Sequence, residues 1–123
     1  MNTMNSGWFE SRWGSKGLVF PSLFYLIEMI AYSIYILYSE KLNRYYIGST
    51  KDIAQRIDQH NDPDFNQNWT KRGIPWQLFL SIPANTQQQA LKIEHYLKKM
   101  KSRKYLLMLK ENPDLIKKLL SRF

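Results

Sequence analysis

The stretch "YSIYILY" from Tyr32 to Tyr38 is rich in aromatic and β-branched residues, a pattern that favours a buried strand over a helix. A polar turn, "SEKLNR", separates it from a second short strand, "YYIG" (Tyr45 to Gly48), so the two read as a hairpin. Ser49 and Asp52 then stand three residues apart like a capping box, which predicts a helix from there to about His60. Turn residues and Pro63 in "NDPDFNQN" end that helix. After Pro75, "WQLFLSI" (Trp76 to Ile82) reads as a third strand. A helix capped by Asn85 or Thr86 should run to about Met100, with Ala90, Leu91, Ile93, Leu97 and Met100 on its apolar face. Another helix is expected from about Ser102 to Lys110. A last one opens with Asn112 as cap and Pro113 in its first turn, carrying the stripe Leu115, Ile116, Leu119, Leu120, Phe123. The order ββαβααα belongs to an α+β domain.

Residues 1–16 show neither period and are expected to be irregular. The segment from Gly17 to Tyr38 is apolar enough to raise a membrane span, but it would have to carry Pro21 and, near its middle, Glu28. No small-residue cleavage site follows it, so export is not supported either. A boundary near Met29 divides it better, with 1–28 as an extension and 29–123 as the domain. On that reading the membrane is not a partner and the protein is expected in the cytoplasm.

With 123 residues, 44% of them hydrophobic and 23% charged, the chain is sized and composed for one globular domain. It contains no cysteine, which excludes disulfides, zinc–thiolate sites and thiol catalysis together. Any metal must be held by oxygen or imidazole. The net charge is +8, and Lys98, Lys99, Lys101, Arg103 and Lys104 place five cations in seven positions. Such a segment suits a nucleic-acid backbone, although a solvated helix face has the same composition.

Two features stand out chemically. On the first helix Arg56 and His60 lie about 40° apart, bordering the stripe of Ile53 and Ile57, close to Tyr46 and Gly48 in sequence. On the next helix Glu94 falls within the apolar arc, while Lys92, His95 and Lys99 take the other side. A buried carboxylate needs a partner. Lys98, four residues on, could supply it, or a cation could. An arginine, a histidine, a carboxylate and tyrosines in a basic, cysteine-free domain suit phosphodiester hydrolysis. A hard ion such as magnesium can work from one carboxylate plus substrate oxygens. A tyrosine serves as a base only if cationic neighbours such as Arg56, His60 and the ion lower its pKa.

"SIY" (Ser33 to Tyr35), "YIG" (Tyr46 to Gly48), Arg56, His60 and Glu94 together resemble the GIY-YIG nuclease superfamily. The likeness is greatest to small stand-alone bacterial members related to the nuclease module of the excision-repair protein UvrC. It spans roughly Met29 to Asn112, including "TKRGIPWQLF" and "ALKIEHYLKKMKSRK". The resemblance implies a small three-stranded antiparallel sheet flanked by helices, and a metal-dependent endonuclease acting on DNA in repair or processing. It implies Tyr35 as the general base for water, Tyr46 as a positioning tyrosine, and Gly48 as a tight turn into the helix. Arg56 would contact the phosphate and His60 assist proton transfer. Glu94 would be the sole protein ligand of a divalent ion, magnesium or manganese. Lys98, Lys99, Lys101, Arg103 and Lys104 are the candidate DNA contacts. Three positions depart from the pattern. Ser33 replaces the first glycine, Ser49 stands where many members have lysine, and no asparagine clearly matches the one some members carry after the glutamate. The alternative function is a nucleic-acid-binding module of the same fold with weak or no catalysis.

Overall fold

The computed structural model describes residues 32–123. Strand β1 (Tyr32–Ser39) lies at the centre of a three-stranded antiparallel sheet, between β2 (Arg44–Thr50) and β3 (Trp76–Ala84). Helix α1 (Ile53–Asn61) and a 3-10 turn (Trp69–Gly73) connect β2 to β3. Helices α2 (Gln87–Met100), α3 (Arg103–Glu111) and α4 (Pro113–Arg122) complete the chain. The ββαβααα order read from the pattern is present, with the 3-10 turn added. The expectations for 1–28, and the part of the apolar stretch before Tyr32, lie outside the described residues. Among the described residues no helix is long and apolar enough to cross a membrane.

Strand β1 reads as continuous apolar sequence because both of its faces are covered. Tyr32, Ile34 and Ile36 point into the larger core, with Ile82, Ala90, Ile93, Leu97, Leu106, Leu109 and Leu119. Tyr35 and Leu37, on the alternate positions, join Trp76 in a second, smaller core bordered by Tyr46, Ile53 and Ile57. One sheet therefore separates two compartments, α2 to α4 on one side and α1 with the 3-10 turn on the other. Pro83 is tolerated in β3 because that strand forms an edge.

The caps on α2 and α4 follow the expected chemistry, and Ser102 caps α3 in the same way. Thr86, Ser102 and Asn112 each accept backbone N–H bonds from the first turn. Asn112 is thus committed to capping. Two local expectations are corrected. Strand β2 continues to Thr50, and α1 is capped by Asp52, whose carboxylate accepts from the Gln55 N–H. Ser49 caps nothing, because its hydroxyl is used elsewhere. Leu91 was expected on the buried face of its helix and is instead 50% exposed. The buried arc of α2 centres on Ala90, Ile93, Glu94 and Leu97, leaving Leu91 on its rim.

Candidate active site

Cross-strand register brings the first group of residues together. Tyr35 on β1 stands opposite Gly48 on β2, and Leu37 opposite Tyr46, so these four side-chain positions share the face covered by α1. The rings of Tyr35 and Tyr46 lie 6.1 Å apart. His60, at the C-terminal end of α1, is edge-on to both, 6.0 Å from Tyr35 and 4.6 Å from Tyr46. Its Nε2 is 3.2 Å from the Tyr35 hydroxyl. Asn66 fixes this end of the helix by donating to the His60 carbonyl, at 2.8 Å, and to Thr70.

Gly48 has a different reason from the one the resemblance implies. It lies inside β2, not at a turn into the helix, and no glycine among the described residues has positive φ. A Cβ at this position would stand 2.5 Å from the Tyr35 hydroxyl and 2.6 Å from its ring. Glycine is required so that the tyrosine can lie across the neighbouring strand. Ser33, by contrast, occupies an ordinary strand position without positive φ, so the departure from glycine there carries no backbone strain.

Arg56 and His60 face the tyrosines together, as their helical spacing requires. Gln59 positions the arginine by accepting from Nη1 at 2.8 Å. The electrostatics remove His60 from the cationic neighbours expected to act on the tyrosines and leave Arg56 among them. Burial, reinforced by the Arg56 charge, pushes His60 down to about 3, so its ring is neutral near neutral pH. Burial also raises Tyr35 and Tyr46; Arg56 opposes the rise in each, while Glu94 adds to it. Neither tyrosine is a standing phenolate.

The buried neutral His60 sets a pH dependence of stability. The unfolded chain takes up a proton on this residue as pH falls through about 6.5, whereas the folded chain resists until about 3. Stability from this source is complete above 6.5 and is lost as pH falls towards 3. The expected loss between pH 7 and 5 is about 2 kcal/mol. Urea unfolding of wild type and His60→Gln at both pH values checks this, and the glutamine variant should lose that part of the slope.

Glu94 approaches from the other compartment. It is only 8% exposed, on α2, and Oε1 accepts from the Ser49 hydroxyl at 2.7 Å. Ser49 lies opposite Ile34 and shares its face of the sheet. Oε2 accepts from Lys98 Nζ at 2.7 Å, so the i,i+4 pair is formed. Lys98 then reaches β2, an edge strand of the sheet among the described residues, with its ammonium 5.9 Å from the Tyr46 ring centre. Thus the carboxylate and tyrosine groups meet around that edge. The residues present fit a hard divalent cation. Their donors are oxygen only, the carboxylate is buried and negative, and an ammonium already stands as a cation beside it. No cluster of three or more His, Asp or Glu occurs among the described residues. A bound ion would therefore rest on Glu94, with water and substrate oxygens completing its shell.

Beside this edge runs a groove of about 590 Å³ lined by Arg44, Tyr45, Tyr46, Trp69, Lys98, Lys101 and Arg103, among others. Trp69 is 46% exposed and carries the Arg44 guanidinium 6.0 Å from its ring centre. Arg103 is tied to the hairpin turn, donating to the carbonyl and side-chain oxygens of Asn43. Of the five cations in the basic run, the groove gathers Lys98, Lys101 and Arg103. Lys99 borders a separate hollow on the outer side of α2 with Leu91 and Phe123, and Lys104 is exposed on α3. Sequence reasoning did not single out Arg44, Gln59 or Trp69. A tryptophan amid the polar stretch "NQNWTKRG" is the signal that was available.

Comparison with known proteins identifies a family and a relative. Residues 31–106 match the family described as the GIY-YIG catalytic domain. Over 71 residues, 58% of this chain and 71% of the other, the sequence is 32% identical to the UPF0213 protein YazA of Bacillus subtilis (strain 168).

Proposed function

This chain belongs to the GIY-YIG family, and from that premise we propose that residues 29–123 form a metal-dependent endonuclease hydrolysing DNA phosphodiester bonds, with magnesium or manganese as its ion and a place in DNA repair or processing. The observation that carries the reading is the convergence of Tyr35, Tyr46, Arg56 and His60 beside Gly48, with Glu94 close enough to act on both tyrosines.

Tyr35 is the residue that receives a proton from the attacking water, and His60 is where its own proton goes. The 3.2 Å contact allows the hydroxyl to donate to a neutral Nε2 while its lone pairs face the water. Such a relay needs no standing phenolate, which accords with the raised Tyr35. An anionic phosphate beside Arg56 offsets the guanidinium charge that helps depress His60, so substrate makes the imidazole a better acceptor. Arg56, held by Gln59, stabilises charge on the phosphate oxygens. Tyr46 orients the phosphate or the water. Glu94, held in place by the Ser49 hydroxyl, would hold the divalent ion, which when bound supplies further positive charge against the phosphate and leaving group. The groove offers the DNA backbone its cations and offers a base the exposed face of Trp69.

The test is incubation of purified protein with end-labelled DNA, with and without magnesium. Cleavage only with the ion is the expected result. Tight DNA binding without cleavage in any divalent ion would favour the binding-module reading instead.

A further inference from the structure

We propose that Lys98 is a displaceable internal cation, an ammonium that neutralises Glu94 in the metal-free protein and competes with the divalent ion for the same carboxylate oxygen. The inference rests on the metal site proposed above. Both oxygens of Glu94 are occupied, Oε1 by the Ser49 hydroxyl and Oε2 by Lys98 Nζ, each at 2.7 Å. The two occupants differ in kind. A hydroxyl keeps a free lone pair and can remain in place beside a metal, whereas an ammonium has three donors and no acceptor, and is repelled by a second cation. An ion coordinated by Oε2 must therefore expel Lys98.

Burial shows which partner gives way. The Glu94 side chain is 10% exposed and that of Lys98 is 36% exposed. The carboxylate is anchored by Ser49 within the helix–sheet packing, while the lysine carries its charge on a flexible stem at the rim. Lys98 also lines the groove with Arg44, Lys101 and Arg103. An ammonium released from Glu94 remains beside the proposed path of the phosphate backbone. This arrangement solves the problem of an empty single-carboxylate site, since a buried unpaired charge is costly. Its consequence is a metal affinity weaker than Glu94 alone would give, by the amount the lysine must be displaced.

The test is manganese titration of the full chain without DNA, following free Mn2+ by electron paramagnetic resonance. Lys98→Met should bind about tenfold more tightly than wild type, Lys98→Gln should do likewise, and Lys98→Arg, which keeps a cation, should stay near wild type. A merely structural role for the pair would leave affinity unchanged or lower it. Equal or weaker binding by both neutral variants, with binding still abolished in Glu94→Gln, overturns the inference while leaving the metal site standing. Unchanged binding in Glu94→Gln overturns the metal reading itself, and this inference with it.

Discussion

Glu94→Gln is expected to reduce magnesium-dependent cleavage by at least about two orders of magnitude while leaving DNA affinity within a few-fold of wild type. The amide has the shape of the carboxylate and can still accept from the Ser49 hydroxyl, so the helix–sheet contact survives. What disappears is the negative charge. Lys98 loses its ion pair, but its side chain is 36% exposed and can turn to water, so the stability cost should be near 1 kcal/mol or below. On the proposed reading the cations of the groove carry the DNA affinity, and none of them is removed. Cleavage assays, binding by fluorescence anisotropy and thermal unfolding separate the three effects. Wild-type cleavage in this variant would take Glu94 out of the site.

Gly48→Ala is expected to be nearly as damaging from a position that offers no functional group. The new Cβ would have to occupy space 2.5 Å from the Tyr35 hydroxyl and 2.6 Å from the ring carbon that bears it. The ring cannot retreat freely, because Tyr35 is 1% exposed and packs in the second core with Leu37 and Trp76. The hydroxyl is thus driven away from His60 Nε2. A displacement of about 1 Å in a reacting group can cost about 100-fold in rate, and overpacking of this kind typically costs about 1–3 kcal/mol. Adding Gly48→Ala to Tyr35→Phe should cost little further activity, since both act through one hydroxyl. Full activity in the alanine variant would show that Tyr35 need not lie across Gly48.

Much of this geometry was legible in the chain because the signals were local. Aromatic and β-branched residues marked β1 and β2, and Thr86, Asn112 and Pro113 marked helix starts by chemistry confined to one turn. The pairing of Arg56 with His60 and the anomaly of Glu94 followed from helical spacing alone. What escaped was set by distant contacts. Ser49 resembles a helix cap, yet its hydroxyl crosses to Glu94, forty-five residues later, so the strand runs on and Asp52 caps instead. Gly48 answers to a ring on the neighbouring strand and not to its own backbone angles. The charge of His60 depends on burial among side chains from three elements, which composition does not reveal. Trp69 has value through its exposure beside a cationic groove, and exposure of a large aromatic is the reverse of what sequence alone favours.

The account turns on one hydroxyl beside one neutral imidazole. The most direct measurement is single-turnover cleavage of a labelled DNA strand in saturating magnesium by wild type and by Tyr35→Phe, with binding of both to the same strand measured in parallel. The account predicts equal binding and a cleavage rate that falls by at least about 100-fold when the hydroxyl is removed. A phenylalanine variant that cleaves as fast as wild type would contradict it.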